Sequence, residues 1–406
     1  MNKIKFLALS TMVLFLFSVQ SVSVATGGNT FTSVRPNVAS DVTIAIVYST
    51  GGLGDLGFND AAEIGIDTAV ADWNEEGITV TVDEACQSQC DLTDVTTNIE
   101  TFASSSVVYD LIIGIGFSSL DGINASALAH TDRNFMLIDE KIVLPNVWSI
   151  TFKEHEGSFL AGAMAAMISE SDDIAFLGGL DIPLINRFLA GFEHGARTIT
   201  PDIVVRAQYS PDPTNPWGDL EGGKTIAKKF IAKGSDVVFA AAGGTGIGSI
   251  NGVIEHNEDN ADDKVWAIGV DGDQDAFSEG NVLTSMVKAV DLAVIDQINA
   301  TVMDTWASAQ ENRGIKEGGV RISSMAFTQT QANADFDGTQ SNIEKVRALE
   351  AQVVAGTLIV REFVGDSVAG QDINFGSIDE DDAPLPTIPV LLAISMAVLV
   401  IRRKRN

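Results

Sequence analysis

The chain has 406 residues, of which 55 are acidic and 25 are lysine or arginine, so its formal net charge is −30 at pH 7. Proteins that bind nucleic acid hold the phosphates with surplus lysine and arginine, and this composition excludes that class. The 2 cysteines and 4 histidines leave little material for a structural zinc site or an iron–sulfur cluster, and neither a metal nor a cofactor is predicted.

The N-terminus has the pattern of a secretory signal peptide over residues 1–25. Lysines near the start precede a short apolar run, and Ser23 and Ala25 are small residues of the kind that a signal peptidase reads. An uncleaved anchor is the alternative. A polar linker follows over residues 26–40, and no cysteine near the cleavage site offers a lipid anchor.

The next part of the chain alternates apolar strands with helices. The predicted strands are 42–48, 78–82, 111–116 and 135–139, and the predicted helices are 60–74 and 122–130. Near-continuous apolar strands that alternate with helices predict a parallel sheet covered on both faces.

A second series of the same kind starts after residues 147–150. Its predicted elements are the strands 174–179, 236–242 and 265–271 and the helix 159–167. Residues 204–222 contain three prolines and are predicted to be a loop, and residues 328–342 are polar with no predicted element. The fold class is therefore α/β, with two doubly wound parallel-sheet lobes that bind ligands at the carboxyl ends of their strands.

Cys86 and Cys90 lie in a polar stretch after the second predicted strand. In an exported protein both are in an oxidising compartment, so a local disulfide is predicted. A redox-active pair is the alternative, although the three residues between the cysteines differ from the two of the thioredoxin-like motif.

Two glycine-rich loops follow strands but lack the signatures of phosphate sites. Residues 51–60 do not end in Gly-Lys-Ser/Thr, and Asn251 stands where a dinucleotide fingerprint beginning at Gly246 needs its last glycine. The sequence has no Gly-x-Ser-x-Gly nucleophile elbow. A catalytic pair of carboxylates is neither predicted nor excluded, because spacing alone cannot single out one pair among 55 acidic residues.

Seven segments, in order along residues 42–362, resemble the basic membrane protein family of ABC-transporter substrate-binding proteins. They are residues 54–62 (GDLGFNDAA), 113–117 (IGIGF), 152–162 (FKEHEGSFLAG), 181–196 (DIPLINRFLAGFEHGA), 243–246 (GGTG), 268–274 (IGVDGDQ) and 283–288 (LTSMVK). The best-described members of that family are purine nucleoside receptors of bacterial surfaces. The resemblance implies a type I periplasmic-binding-protein fold, with two lobes joined by crossover strands and the ligand between them.

The resemblance also implies roles for residues that would hold the base. Phe58 and Phe188 match the aromatic residues that sandwich it, one from each lobe, with core packing as the alternative. Asn59 matches a reader of the base edge, since a carboxamide presents a donor and an acceptor together. Asp121 matches a second base contact. Both polar residues could instead cap a helix.

Other matching residues would hold the sugar. Asp55 and Asp271 correspond to acids that accept hydrogen bonds from the two vicinal hydroxyls. Lys288 would donate to the sugar, and Gly244 or Gly246 would offer backbone groups. Several carboxylates around one lysine should repel a phosphate, so the resemblance predicts a nucleoside rather than a nucleotide.

The same resemblance sets the predicted domain boundaries. The N-terminal lobe is assigned residues 41–150 and about 276–315, and the C-terminal lobe residues 151–275 and about 316–365. The lobes are expected to move about a hinge.

The C-terminus has the pattern of a membrane anchor. An acidic linker over residues 366–385 precedes the uncharged segment 386–401 and the basic tail 402–406. The positive-inside rule leaves the body of the protein outside the cell membrane. The segment is slightly shorter than the ~20 residues that a bilayer core requires, so a thin span and a sorting signal that is later processed both stay open.

These features predict an extracytoplasmic receptor, monomeric and not an enzyme, that captures a nucleoside, by preference a purine nucleoside, and delivers it to an ABC-type permease. One alternative is a receptor of the same fold for a sugar, an amino acid or a signalling molecule. Others are a secreted hydrolase with paired carboxylates and a surface sensor without a permease.

Overall fold

The computed structural model of the chain describes residues 41–363 and residue 365. The predicted signal peptide, N-terminal linker, C-terminal acidic linker, membrane segment and basic tail, residues 1–25, 26–40, 366–385, 386–401 and 402–406, therefore lie outside the described residues. Within the described part of the chain, no helix combines the length and apolar character needed to cross a membrane.

The described strands, in chain order, are β1 (Asp41–Val47), β2 (Thr79–Ala85), β3 (Leu111–Gly114), β4 (Phe135–Ile138), β5 (Val147–Phe152), β6 (Asp173–Gly178), β7 (Val204–Tyr209), β8 (Val237–Ala241), β9 (Trp266–Asp271), β10 (Val282–Lys288), β11 (Gln310–Arg313) and β12 (Val320–Ile322). The described helices are α1 (Phe58–Glu75), α2 (Leu92–Ala103), α3 (Leu120–Ala129), α4 (Glu154–Ile168), α5 (Pro183–Ile199), α6 (Leu220–Ile231), α7 (Gly243–Asp259), α8 (Val290–Val302), α9 (Gln329–Asn333) and α10 (Asn342–Ala355). Short 3₁₀ turns lie at Phe117–Ser119 and Asp275–Phe277.

The strands form two six-stranded sheets. The first has the order β11-β5-β4-β3-β1-β2 and the second β12-β10-β9-β8-β6-β7. All neighbours in the first sheet are parallel, and in the second only β12 runs antiparallel to its neighbour β10. The predicted α/β fold with two parallel-sheet lobes is confirmed.

The burial of the strands explains why the sequence pattern was informative. Every residue of β3, β4, β8 and β10 is buried. Parallel strands with helices on both faces have no solvent side, so their sequences are apolar runs rather than alternating patterns. The carboxyl ends of these strands carry the loops that form the space between the lobes.

The chain crosses between the sheets at places that differ in part from the prediction. It leaves the first sheet after β5, returns after β10 to add α8 and β11, and crosses again to β12. The predicted boundary near residue 276 would place β10 in the first lobe, whereas β10 pairs with β9 in the second sheet. A fully buried strand needs a partner on each side, and its nearest one in sequence is β9.

Two segments without a predicted element contain regular structure. Residues 204–222 include the edge strand β7 and the start of α6, where the side chain of Asp219 accepts a hydrogen bond from the backbone N–H of Gly222. Residues 328–342 include the short helix α9. The predicted disulfide between Cys86 and Cys90 is present.

Candidate functional site

A cleft lies between the carboxyl ends of the two sheets. The space inside it, which includes open solvent at its mouth, is ≈ 570 Å³. The cleft is lined by Ser49, Gly51, Asp55, Phe58, Asn59, Phe117, Asp139, Leu184, Ile185, Phe188, Trp217, Ala241, Ala242, Gly243, Val270, Asp271 and Lys288. Most of the sequence-predicted site residues therefore meet in one place, although they come from both lobes.

Three predicted site residues do not line the cleft. Asp121 is exposed in the first turn of α3, because the 3₁₀ turn after β3 brings Phe117 to the cleft instead. Gly244 and Gly246 lie inside α7, and the lining position is taken by Gly243. The predicted residues and the residues that line the cleft therefore differ by one to four positions along the loops that follow the strands.

The loop before α1 is held by two of the predicted ligand residues. The carboxylate of Asp55 accepts hydrogen bonds from the backbone N–H groups of Gly57 (2.9 Å) and Asn59 (3.0 Å). The side-chain oxygen of Asn59 accepts from the backbone N–H of Ser49 (2.9 Å), and its NH₂ group donates to Asp55 (3.2 Å). Both side chains thus shape the start of α1, as helix-capping groups do.

The hydrogen bonds that Asp55 accepts also affect its pKa. Burial raises the pKa of Asp55, and the backbone N–H groups of Asn59 and Gly57 act in the opposite direction. Because its carboxylate already accepts these hydrogen bonds, Asp55 contributes to the site mainly by fixing the loop that carries Phe58.

Phe58 is the aromatic wall of the first lobe. Its ring edge lies beside Gly116, where an added Cβ would come within 3.0 Å of the ring. Gly116 also has a φ of +80°, which favours glycine. The absence of a side chain at this position therefore lets the Phe58 ring lie against the strand end.

The second lobe supplies Phe188 and Trp217. Phe188 is only 2% exposed and packs on Phe239 with ring centroids 6.5 Å apart, so it is both a core residue and a lining residue. Trp217 faces Phe117 of the first lobe across 6.1 Å between centroids. The sequence-based prediction missed Trp217, although a tryptophan in a proline-rich loop directly before a capped helix is an available signal.

Lys288 is the centre of a buried ionic cluster. Its ammonium nitrogen lies 2.6 Å from Asp139 and 3.6 Å from Glu154. Glu154 also pairs with Arg187 at 2.8 Å. Burial alone would lower the pKa of Lys288, but Asp139, Glu154 and Asp271 raise it above its ordinary value, so the ammonium stays charged.

The Lys288 ammonium also faces aromatic rings of both lobes. It lies 4.7 Å from the ring centroid of Phe58 and 5.8 Å from that of Phe188. These distances allow cation–π attraction. The two rings and the ammonium therefore border the same space.

Asp271 presents an acceptor that has no donor. Its Oδ1 is buried and has no hydrogen-bond partner. Burial raises the pKa of Asp271 to about 7, against the opposing effect of Lys288. The backbone φ of +62° aims this residue away from the regular strand direction at the end of β9. An unpartnered buried carboxylate oxygen favours a ligand that brings a hydroxyl donor.

The arrangement suits a neutral ligand with a flat ring and hydroxyl groups. Among the described residues that line the cleft, Lys288 is the only cationic side chain, and it faces three aspartates, Asp55, Asp139 and Asp271. The described residues contain no group of three or more histidine, cysteine or acidic side chains arranged to hold a metal ion.

The chain is similar to several known proteins. The chain is 31% identical over 337 residues to the CD4+ T-cell-stimulating antigen of Listeria innocua, covering 80% of this chain and 89% of that protein. It is 34% identical over 280 residues to the ABC transporter nucleoside-binding protein BmpA of Lactococcus lactis, covering 65% and 76%.

A solved solute-binding protein of an ABC transporter system from Aeropyrum pernix shares the fold. The TM-score is 0.68 at 23% identity, with 79% of this chain and 94% of that chain covered. The model of the Bmp family, described as ABC transporter substrate-binding protein PnrA-like, matches residues 42–353. The chain therefore belongs to the Bmp family of ABC transporter substrate-binding proteins.

Proposed function

We propose that this substrate-binding protein captures a nucleoside, most favourably a purine nucleoside, in the cleft between its lobes. The observation that carries the proposal is the combination of aromatic rings from both lobes with the unpartnered buried carboxylate of Asp271 in one cleft. The Lactococcus lactis relative is named a nucleoside-binding protein, which supports the same ligand class.

The base would lie between the aromatic walls. Phe58 comes from the first lobe, and Phe188 and Trp217 come from the second. Stacking of a base on an aromatic side chain contributes about 1–3 kcal/mol, and purines offer more ring area than pyrimidines. Asn59 has one amide hydrogen beyond its bond to Asp55 and would address the base edge with it.

The sugar would lie against the charged groups. The free oxygen of Asp271 accepts from a ribose hydroxyl, and the ammonium of Lys288 donates to a hydroxyl oxygen. Gly243 places the start of α7 at the cleft lining without a side chain in the way.

A nucleotide would bind less well than a nucleoside. Three aspartates and one lysine line the cleft, so a phosphate would meet a net negative field in a poorly hydrated space. The same field tolerates an uncharged ribose.

Membership of the family supports delivery of the ligand to a permease. An ABC-type permease in the cell membrane would accept the ligand from the closed protein, which places the protein outside the cytoplasm. The predicted signal peptide supports export, and the predicted C-terminal segment over residues 386–401 would attach the protein to the membrane. We expect a monomer, since one chain supplies both walls of the cleft.

Isothermal titration of the purified protein tests the proposal. Adenosine, guanosine and inosine are the ligands, with ribose and adenosine monophosphate as comparisons. We expect micromolar or tighter binding of at least one nucleoside and much weaker binding of both comparison compounds. Flat traces for all three nucleosides would contradict the proposal, and binding of ribose alone would favour a sugar receptor of the same fold.

A further inference from the structure

The lobes meet at a backbone seam beside the cleft. This interlobe seam consists of residues 55–57, after β1 in the first lobe, and residues 270–274, at the end of β9 in the second. A Cβ on Gly57 would lie 3.2 Å from a main-chain carbonyl oxygen of β9, and one on Gly272 would lie 2.6 Å from the carbonyl oxygen of Leu56. Glycine at both positions lets the two main chains approach closely.

Gln274 joins the two sides of the interlobe seam. Its side chain is 4% exposed. The side-chain oxygen accepts a hydrogen bond from the backbone N–H of Val270 in its own lobe (3.1 Å), and the NH₂ group donates to the carbonyl oxygen of Leu56 in the other lobe (3.1 Å). The carbonyl oxygen of Asp55 lies at 3.5 Å.

The orientation of this carboxamide is determined by its partners. A backbone N–H can only donate, so the end of the side chain that meets Val270 must be the oxygen. The NH₂ group therefore faces the first lobe, where it meets two carbonyl oxygens that can only accept.

The second lobe holds Gln274 rigidly. Its backbone N–H donates to the hydroxyl of Ser285 on β10 (3.0 Å), and that hydroxyl donates to the buried carboxylate of Asp275 (2.8 Å). The donor that reaches the first lobe is thus held against a strand of the second lobe, three positions along the chain from Asp271 in the cleft lining.

We propose that Gln274 is a positioning residue that latches the cleft in its closed form. The hydrogen bond to Leu56 exists only when the lobes are together, and it acts on the loop that carries Phe58. Opening exchanges this bond for bonds to water, so the latch shifts the ratio of closed to open molecules by roughly fivefold. Its effect on ligand retention depends on the proposed function, whereas its effect on closure does not.

Two substitutions separate the latch from a structural role in the second lobe. Gln274→Glu keeps the shape and the acceptor for Val270, and its ionised form has no donor for Leu56, so it removes the bond between the lobes while keeping the bond within the second lobe. Gln274→Met removes both bonds without adding a charge. The control is Gln89→Ala, which removes the exposed bond between the lobes from Gln89 to Asn215 (2.9 Å).

Distances between spin labels on the two lobes report closure directly. Labels are attached at Thr97→Cys in α2 and Thr225→Cys in α6, two exposed positions. Electron–electron double resonance is recorded for the full chain with and without adenosine. We expect the ratio of the short-distance to the long-distance population to fall roughly fivefold or more in Gln274→Glu and Gln274→Met and to change little in Gln89→Ala.

The outcomes distinguish this inference from the proposed function. An unchanged short-distance population in either Gln274 variant, or none in the wild-type background, would overturn the latch. If nucleosides bind, their dissociation rate should rise by a similar factor in both variants while the association rate stays nearly constant. If no nucleoside binds, the proposed function fails, and the label distances without ligand still decide whether Gln274 favours closure.

Discussion

The ammonium of Lys288, on a strand of the second lobe, lies 2.6 Å from the carboxylate of Asp139, at the end of a strand of the first. The side chains are 2% and 4% exposed. This buried ion pair joins the two sheets beneath the cleft. It also sets the electrostatic character of the site, because the same ammonium faces Glu154 and the ring of Phe58.

Removal of the lysine alone should destabilise the protein strongly. Lys288→Met leaves Asp139 buried without its counter-charge, which costs about 3–5 kcal/mol of unfolding free energy. Urea denaturation followed by circular dichroism measures the loss. The double variant Lys288→Met, Asp139→Asn should recover part of it, since no isolated charge is then left at position 139.

The matched control for this prediction is Lys228→Met. Lys228 pairs with Glu255 at 2.5 Å on the surface, where water screens the charges. Equal losses of stability in Lys288→Met and Lys228→Met would contradict the assignment of Lys288 as a buried structural and ligand-facing cation.

Ligand affinity should depend on pH through Asp271. Its pKa in the unliganded cleft is raised to about 7, and only the ionised form accepts from a ribose hydroxyl while keeping its attraction to Lys288. Below pH 7 the site must lose a proton to bind, so affinity falls by about tenfold per pH unit there and levels off above pH 7.

Titration calorimetry in buffers of different ionisation enthalpy checks this linkage. We expect release of up to one proton on binding near pH 6 and almost none at pH 8.5. Asp271→Asn should bind more weakly than the wild type above pH 7 and show a flat profile. A profile of unchanged shape in Asp271→Asn would assign the titration to another of the facing groups, Asp55 or Asp139.

The aromatic walls should all contribute to affinity, and one of them should also contribute to stability. Phe58→Ala and Trp217→Ala each remove a ring from the cleft, and the loss of about 1–3 kcal/mol of stacking raises the dissociation constant by roughly 5- to 150-fold. Phe188→Ala should also lower the stability, because this ring packs on Phe239. Intrinsic fluorescence and calorimetry measure both effects.

Phe327→Ala is the control for the aromatic variants, since this ring is 40% exposed and does not line the cleft. We expect its nucleoside affinity to equal that of the wild type. Wild-type affinity in both Phe58→Ala and Trp217→Ala would exclude base stacking as the basis of recognition.

Gly116, which lies beside the Phe58 ring, should affect nucleoside affinity through the position of that ring and not only through backbone strain. Gly116→Ala places a methyl group 3.0 Å from the Phe58 ring and should displace it, weakening nucleoside binding. Gly234→Ala is the matched control, because Gly234 also has a positive φ of +105° but nothing within 4 Å of an added Cβ.

Both glycine variants should lose about 1–2 kcal/mol of stability from the left-handed backbone. Only Gly116→Ala should raise the dissociation constant. Equal affinities in the two variants would show that the position of the Phe58 ring does not depend on Gly116.

The strands were predictable because they follow local rules, and β3 and β4 are short apolar runs. Phe58, Asp271 and Lys288 were predicted from the resemblance of their segments to the family. Asp271 and Lys288 end their strands, and the carboxyl ends of parallel strands gather at one edge of a sheet.

The remaining site residues depend on contacts that are distant in sequence. Trp217 reaches the cleft because residues 210–219 fold over the second lobe, where Gly179 leaves room for its indole. Asp139 was visible as the last residue of a predicted strand, but its partner is 149 positions away. Asp121 was misplaced because a single 3₁₀ turn shifts the residue that faces the cleft.

A crystal structure of the protein grown with adenosine tests the central claim most directly. We expect the purine ring to stack on Phe58, with an aromatic ring of the second lobe on its other face. The ribose hydroxyls should lie within hydrogen-bond distance of Asp271 and Lys288. A ligand bound outside the cleft, or a base without aromatic contact from either lobe, would contradict it.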